Sequence, residues 1–509
     1  MSFKRSLRPA SRWLPYPLDT LAVGLMGCLL GLSLLLIGLG DHATAQVKHF
    51  TWAERTVGAD NVAFALTFNR PMEPQSVEAN LQITPYLPGR VSWAGRRMAY
   101  TLDVPIPYGE TYEIRLPEAR DRFSQTDAEG RFEAFRSTFR SRDRAMAYIG
   151  TQGDEAGRLV LVNFSQGGEP ILLTPKDLTV LDFEPYPLGD RLLFSAVPAT
   201  AAATTSPALY TVATGLAPEP PEQSLALGPD VSLQPAAVGT LTPILKGDGY
   251  QNLAFDLAPN GQIIVVQRIN EADPADFGPW VVPSDDPPYP LNTEPGGEFL
   301  IGPDSQTLLM LQGQGTAVIP LEPTDAAATV EPLDFLPEFG RIFDLTSDGG
   351  AAALVNFNQN DPDRRYTETL VIVTNQGTET EVLDATGSIL GAKFDPSDRI
   401  LYVLASDLLP GEAYQEQPYL AAVNLNQPEE PLRLLTLPPQ ARVSMSIAPD
   451  GLAALLAVAL TSPEDPTEET TQTVLLPLFQ TTDQRVTGTP TQTVPQVLPF
   501  VGNAPTWLP

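Results

Sequence analysis

Histidine and cysteine are almost missing from this chain of 509 residues. The two histidines, His42 and His49, stand close together near the amino terminus, so nothing after residue 143 supplies an imidazole. A Ser-His-Asp triad or a multi-histidine zinc site in that long part would lack its base or its ligands. The single cysteine, Cys28, excludes an internal disulfide and a cysteine metal cluster. Basic residues are scarce too: 31 against 61 acidic ones, for a net charge of −30. A surface of that sign repels phosphate backbones, which speaks against nucleic acid as a partner. Only Lys176, Lys246 and Lys393 follow residue 143, and no Walker-type lysine motif is present. Gly313-Gln314-Gly315 lacks the third glycine of a dinucleotide loop. Neither a nucleotide nor any other cofactor is expected, and no catalytic residue stands out.

Proline is abundant instead. It fills 52 positions, about twice its usual share. Proline breaks helix interiors and is tolerated at turns and strand edges, so the composition points to an all-β protein.

The amino terminus reads as a membrane segment. Lys4, Arg5, Arg8 and Arg12 precede an uncharged run from Leu21 to Gly40, and no Lys or Arg falls between Trp13 and Val47. Twenty mostly apolar residues match the ~30 Å hydrocarbon core of a bilayer, and the basic flank stays on the cytoplasmic side. Everything beyond Asp41 is then extracytoplasmic, periplasmic or lumenal. Residues 1–45 form this unit, either as a retained transmembrane helix through residues 21–40 or as a signal peptide cut after Ala43-Thr44-Ala45. In the second case the protein is secreted.

Residues 46–143 read as a small sandwich. Val62, Phe64, Leu66 and Phe68 alternate with Ala63, Ala65 and Thr67, Arg70-Pro71-Met72-Glu73-Pro74 breaks that run, and similar short runs follow at Leu81 and Ile83, Val91 and Trp93, Met98 to Leu102, and Tyr112 to Leu116. Phe135 and Phe139 close the unit. Period-two runs with turn signals about every ten residues indicate a β-sandwich. The segments Phe68-Asn69-Arg70-Pro71-Met72, Ser76-Val77, Ile83-Thr84-Pro85 and Tyr108-Gly109-Glu110-Thr111-Tyr112, with Gly89 and Trp93, resemble the bacterial Ig-like domain of S-layer type. That resemblance implies a spacer or adhesion module without catalytic residues. Acidic and basic residues balance here, 13 of each, so the net −32 carried after Asp143 is offset only by +2 in the first 45 residues.

Residues 144–509 repeat a phrase: a hydrophobic residue, a variable one, proline or a substitute, then an Asx/Gly turn into an apolar strand. It reads Leu257-Ala258-Pro259-Asn260-Gly261, and returns around Pro303, Ser347, Pro396 and Pro449, with a degenerate copy at Tyr186-Pro187-Leu188-Gly189-Asp190. Taking 188 as its first position, the spacings are 71, 44, 44, 49 and 53 residues. Repeats of that length built from strands and turns indicate a β-propeller, with one four-stranded blade per repeat. The phrase resembles the repeat of TolB-like propellers. Trp507-Leu508-Pro509 reads as a further copy that stops at its turn. The last strand of the chain is therefore expected to complete the blade opened by the strands near 145–149, 158–163 and 170–174. That makes seven blades, or six if the opening strands are only a linker. The stretch from Val197 to Gly239, rich in alanine, threonine and proline, reads as an inter-strand insertion.

Candidate metal ligands are weak. Asn356, Asn358, Asn360, Asp361 and Asp363 offer oxygens, but Thr367 stands where a calcium loop needs a bidentate glutamate. Whether any metal binds stays open at this level. The expectation is a membrane-tethered binding or scaffolding protein of a bacterial envelope, with the propeller facing a protein or glycan partner. The alternative is a polysaccharide hydrolase or lyase using propeller carboxylates. Ionisable side chains converging at one mouth of the ring would be the feature that separates the two.

Overall fold

The computed structural model describes residues 17–38, 44–122, 132–202, 205–216, 236–313, 315–322, 332–336, 339–359, 361–365, 367–411, 414–440, 442–461 and 469–509. Helix α1 runs Pro17–Gly38. The expected span of residues 21–40 therefore ends partly outside the described residues, and side chains in it are described only from 21 to 33. Among the described residues, no helix is long and apolar enough to cross a membrane.

The sandwich begins slightly before residue 46. Ala45 is buried, bridges to Phe132, and its carbonyl accepts from the Glu133 N–H. Two four-stranded sheets pack face to face. One contains Val47–Phe50, Ala63–Phe68, Arg97–Leu102 and Gly89–Ala94, in that spatial order. The other contains Thr56–Val57, Phe135–Ser141, Thr111–Leu116 and Gln82–Thr84. Phe50, Trp52, Phe64, Tyr112 and Phe139 meet between them in one aromatic core. Helix α2, Pro74–Asn80, occupies a segment read as a break. Pro74 is tolerated at its first turn, and Val77 anchors it in the core.

From Ala145 onward the chain builds a propeller. Five separate four-stranded antiparallel sheets follow one another, and a sixth sheet has seven strands. That seventh-blade and first-blade sheet is shared through one strand, Gln496–Trp507. Its first half pairs with Glu469–Pro477, and its second half pairs with Ala145–Gly150. Ala504, at φ 50°, marks the bend where the strand passes from one blade to the other. Seven four-stranded blades result, and the carboxy-terminal residues are the first strand of the first. The first strands of blades 3 to 7 touch their successors in order.

In blades 2 to 7 the turn after the first strand has a residue in the left-handed region: Gly189, Gly261, Ser305, Gly349, Asp398 and Gly451. Two residues before each stands the proline or its substitute. This register makes Pro187, not Leu188, the phrase's first copy. Within the expected insertion, Ala208–Ala213 forms a strand of blade 2, because Leu209 and Val212 reach its core. Residues 217–235 lie outside the described part.

Candidate functional site at the propeller axis

Each blade's first strand has an equivalent position three residues before the phrase proline, and in blades 2, 3, 5 and 6 its charged side chains act on one another across the ring. The ring reads Thr506, Glu184, Asp256, Leu300, Asp344, Lys393 and Ser446, from blade 1 to blade 7. In blades 2 to 6 the strand carries a register shift close ahead of that position. Such bulges re-aim side chains away from strict alternation.

The ring is also a set of latches. The Leu257 N–H donates to Glu184 Oε2 at 2.8 Å, and the Ile301 N–H donates to Asp256 Oδ2 at 2.5 Å. The Phe394 N–H donates to Asp344 Oδ2 at 2.8 Å, and the Trp507 N–H donates to Ser446 Oγ at 3.0 Å. In every case the acceptor belongs to one blade and the donor stands two residues before the phrase proline of the next. The other three junctions lack this bond for chemical reasons. Leu300 has no acceptor, Lys393 only donates, and Pro185 occupies the donor position without an N–H.

Lys393 turns back instead to Asp344, with Nζ 2.9 Å from Oδ1. Its ammonium also acts on Asp256 and Glu184 in blades 3 and 2, across the ring. Burial pushes the Glu184 carboxyl well above the ordinary range, and the charges of Asp256 and Asp182 add to this. Burial likewise raises Asp256 to about 6, against the backbone hydrogen bond from Ile301 and a hydrogen bond with Glu184. The two carboxyls therefore act as a pair that retains a proton. For Lys393, whose side chain is still 48% exposed, partial desolvation works against the charge, but Asp344, Asp256 and Glu184 outweigh it and raise the pKa.

This pair sets a pH dependence. Asp256 holds its proton up to about 6 in the folded protein, against 3.8 for the ordinary group. A folded pKa above the unfolded one gives stability that is complete below the unfolded value and is lost as pH rises through the folded one. Glu184→Gln keeps an oxygen for Leu257 and a donor for Asp256 while removing one titration. Wild type and E184Q should melt together near pH 4.5, and E184Q should melt higher at pH 8. Parallel melting curves across this range would contradict the shared proton.

The sandwich sits on the turn face of the ring. Arg142 Nη1 donates to the Pro187 carbonyl of blade 2 at 3.1 Å, and Arg399 Nη2 of blade 6 donates to the Asp103 carbonyl at 3.3 Å. Asp450, in the turn of blade 7, accepts from the Tyr108 N–H at 3.0 Å and from Arg144 Nη2 at 3.1 Å. The opposite arc of turns leaves Asn260, Asp304 and Asp348 exposed. One mouth is thus roofed over part of its rim and acidic over the rest.

The axial ring was not among the residues singled out from the sequence. Lys393 was noted only as one of three lysines, and the signal available was the variable position just ahead of the phrase. The asparagine-rich segment behaves as a folded loop. Asn358 is buried and its Nδ2 donates to Thr367 and Thr369, while Asn356 Oδ1 accepts from the Asn358 N–H. Asn360 lies outside the described residues. Among the described residues, no group of three or more His, Cys, Asp or Glu is placed to hold a metal ion.

No family model matches the sequence, and no curated protein matches it. Solved structures similar to this chain include TolB from Acinetobacter baumannii, at 12% identity and TM-score 0.37, covering 71% of this chain and 82% of that one. An oligogalacturonate lyase from Vibrio parahaemolyticus is 10% identical at TM-score 0.42, covering 68% and 90%. Prolyl oligopeptidase B from Galerina marginata is 10% identical at TM-score 0.42, covering 71% of this chain and 51% of that one. These structures include the family whose repeat the phrase resembles. The likeness brings no activity with it, and the propeller described above rests on strand order.

Proposed function

We propose that the chain is a membrane-tethered, extracytoplasmic binding or scaffolding protein of a bacterial envelope, in which the sandwich is an Ig-like unit and the propeller faces a protein or glycan partner. The observation that carries the non-enzymatic reading is the state of the axial carboxyls. A glycosidase needs two carboxyl groups about 5–9.5 Å apart across the scissile bond. Glu184 and Asp256 instead each accept from the next blade's backbone, from the Leu257 and Ile301 N–H groups. Both carboxyls are thus engaged as ties between blades 2, 3 and 4. Retention of the amino-terminal segment is supported by Ala45, whose buried side chain and bonded carbonyl would be lost from a mature chain beginning at Gln46.

Cross-linking of the full chain in intact membranes tests this reading. The same partner should be captured by wild type and by the E184Q/D256N variant, and neither should release reducing or unsaturated ends from envelope polysaccharides. Release of such ends by wild type, and its loss in the variant, would establish the hydrolase or lyase instead. Protease added outside the cytoplasmic membrane should digest the propeller, and protection there would end the export reading.

A further inference from the structure

A second concavity lies in the sandwich. Among the described residues, Val47–Phe50 is an edge strand, paired only to Ala63–Phe68. A register shift between Val47 and His49 disturbs its alternation, so that Lys48 and His49 both line one hollow of about 450 Å³. Arg55 and Thr51 share that hollow, and Phe50 and Phe135 form part of its wall. Among the described residues, no carboxylate lines it. Lys48, His49 and Arg55 make no ion pair among the described residues, although the chain as a whole carries −30. Basic side chains gathered without a counter-charge, over an aromatic wall and beside a hydroxyl, suit a phosphate ester.

The position of the hollow selects the source of that phosphate. Only seven residue steps separate Gly38, the end of α1, from Ala45, the fixed start of the sandwich. At ~3.3–3.6 Å per residue they reach at most about 25 Å. The hollow therefore begins within reach of the headgroup layer if α1 is the tether. We propose that Lys48, His49 and Arg55 bind the phosphate of an anionic membrane lipid, an inference that rests on the tethered reading above. Charge supports the same orientation. An anionic bilayer attracts juxtamembrane basic groups within a Debye length and repels the propeller with its −32. The sandwich is drawn down onto the membrane, and the ring is held away from it.

The full chain in lipid nanodiscs tests this through amine acetylation, with Lys176 on the propeller, 69% exposed, as internal reference. Lys48 should react several-fold more slowly, relative to Lys176, in phosphatidylglycerol discs than in phosphatidylcholine discs. Arg55→Ala should abolish that difference while melting like wild type. Equal Lys48 reactivity in the two lipids, with the protein still bound to the disc, overturns the headgroup site and leaves the tether standing. Slowing by inorganic phosphate alone in phosphatidylcholine discs overturns the lipid assignment. A chain that does not stay with the disc overturns the tether and this proposal together.

Discussion

Removal of the last seven residues, Asn503 to Pro509, should lower the unfolding temperature and the denaturant midpoint sharply. These residues are the first strand of blade 1 and pair with Ala145–Gly150. Trp507 is 4% exposed, packs on Phe164 with centroids 5.9 Å apart, and lies under the Arg144 guanidinium. Leu508 is buried with Ala147, Leu161 and Phe194, and its N–H donates to the Ala145 carbonyl at 2.9 Å. Loss of a buried tryptophan alone costs about 3–5 kcal/mol, a large part of the ~5–15 kcal/mol that keeps a domain folded. The deletion also opens the Trp507–Ser446 latch between blades 7 and 1. Trp507→Ala should reproduce most of the loss. Trp507→Phe, which keeps a ring against Phe164, should reproduce a smaller part. A truncated protein that melts with wild type would mean that the ring does not depend on this closure.

The closure was legible because the phrase is chemical as well as repetitive. Proline and an Asx-Gly pair mark a first strand's end wherever they occur, and Trp507-Leu508-Pro509 carries the start of that mark at the end of the chain. The sandwich strands were legible for a related reason, since Phe64, Leu66 and Phe68 expose only one face to the core. Helix α2 was hidden by Pro71 and Pro74, which read as a break although proline also starts helices. The axial ring was hidden for a deeper reason. Glu184, Asp256, Leu300, Asp344, Lys393, Ser446 and Thr506 share a position but not a chemistry, so no residue type repeats there. Their common property is a place on the axis, which exists only when seven blades are assembled. The sandwich contacts were equally silent, because Asp450 looks like any turn aspartate until Tyr108 and Arg144 meet it.

That aspartate decides whether the two units behave as one. Its side chain is fully buried, while the partner Arg144 is 31% exposed. Asp450→Ala would leave the Tyr108 N–H and the Arg144 guanidinium without their shared acceptor. Arg485 would stay in place, since it donates to the Asp450 carbonyl at 2.6 Å and to the Pro105 carbonyl. Removing one member of a buried charge pair costs about 3–5 kcal/mol, and the partial exposure of Arg144 places this case near the lower end. Most of the cost falls on the joint, because Asp450 Oδ2 joins the Tyr108 loop and Arg144 to a propeller turn, while its Oδ1 also accepts from the Leu452 N–H of that turn at 3.0 Å. Unfolding of the D450A variant should therefore separate into two transitions where wild type shows one. Trypsin should also cut faster at Arg142 and Arg144, which the docked sandwich now shields. Asp450→Asn keeps an oxygen for Tyr108 but not the charge for Arg144, so it should fall between the two. If D450A melts in one transition at the wild-type temperature and resists trypsin equally, the sandwich is held by its other contacts, and Asp450 is only a turn residue.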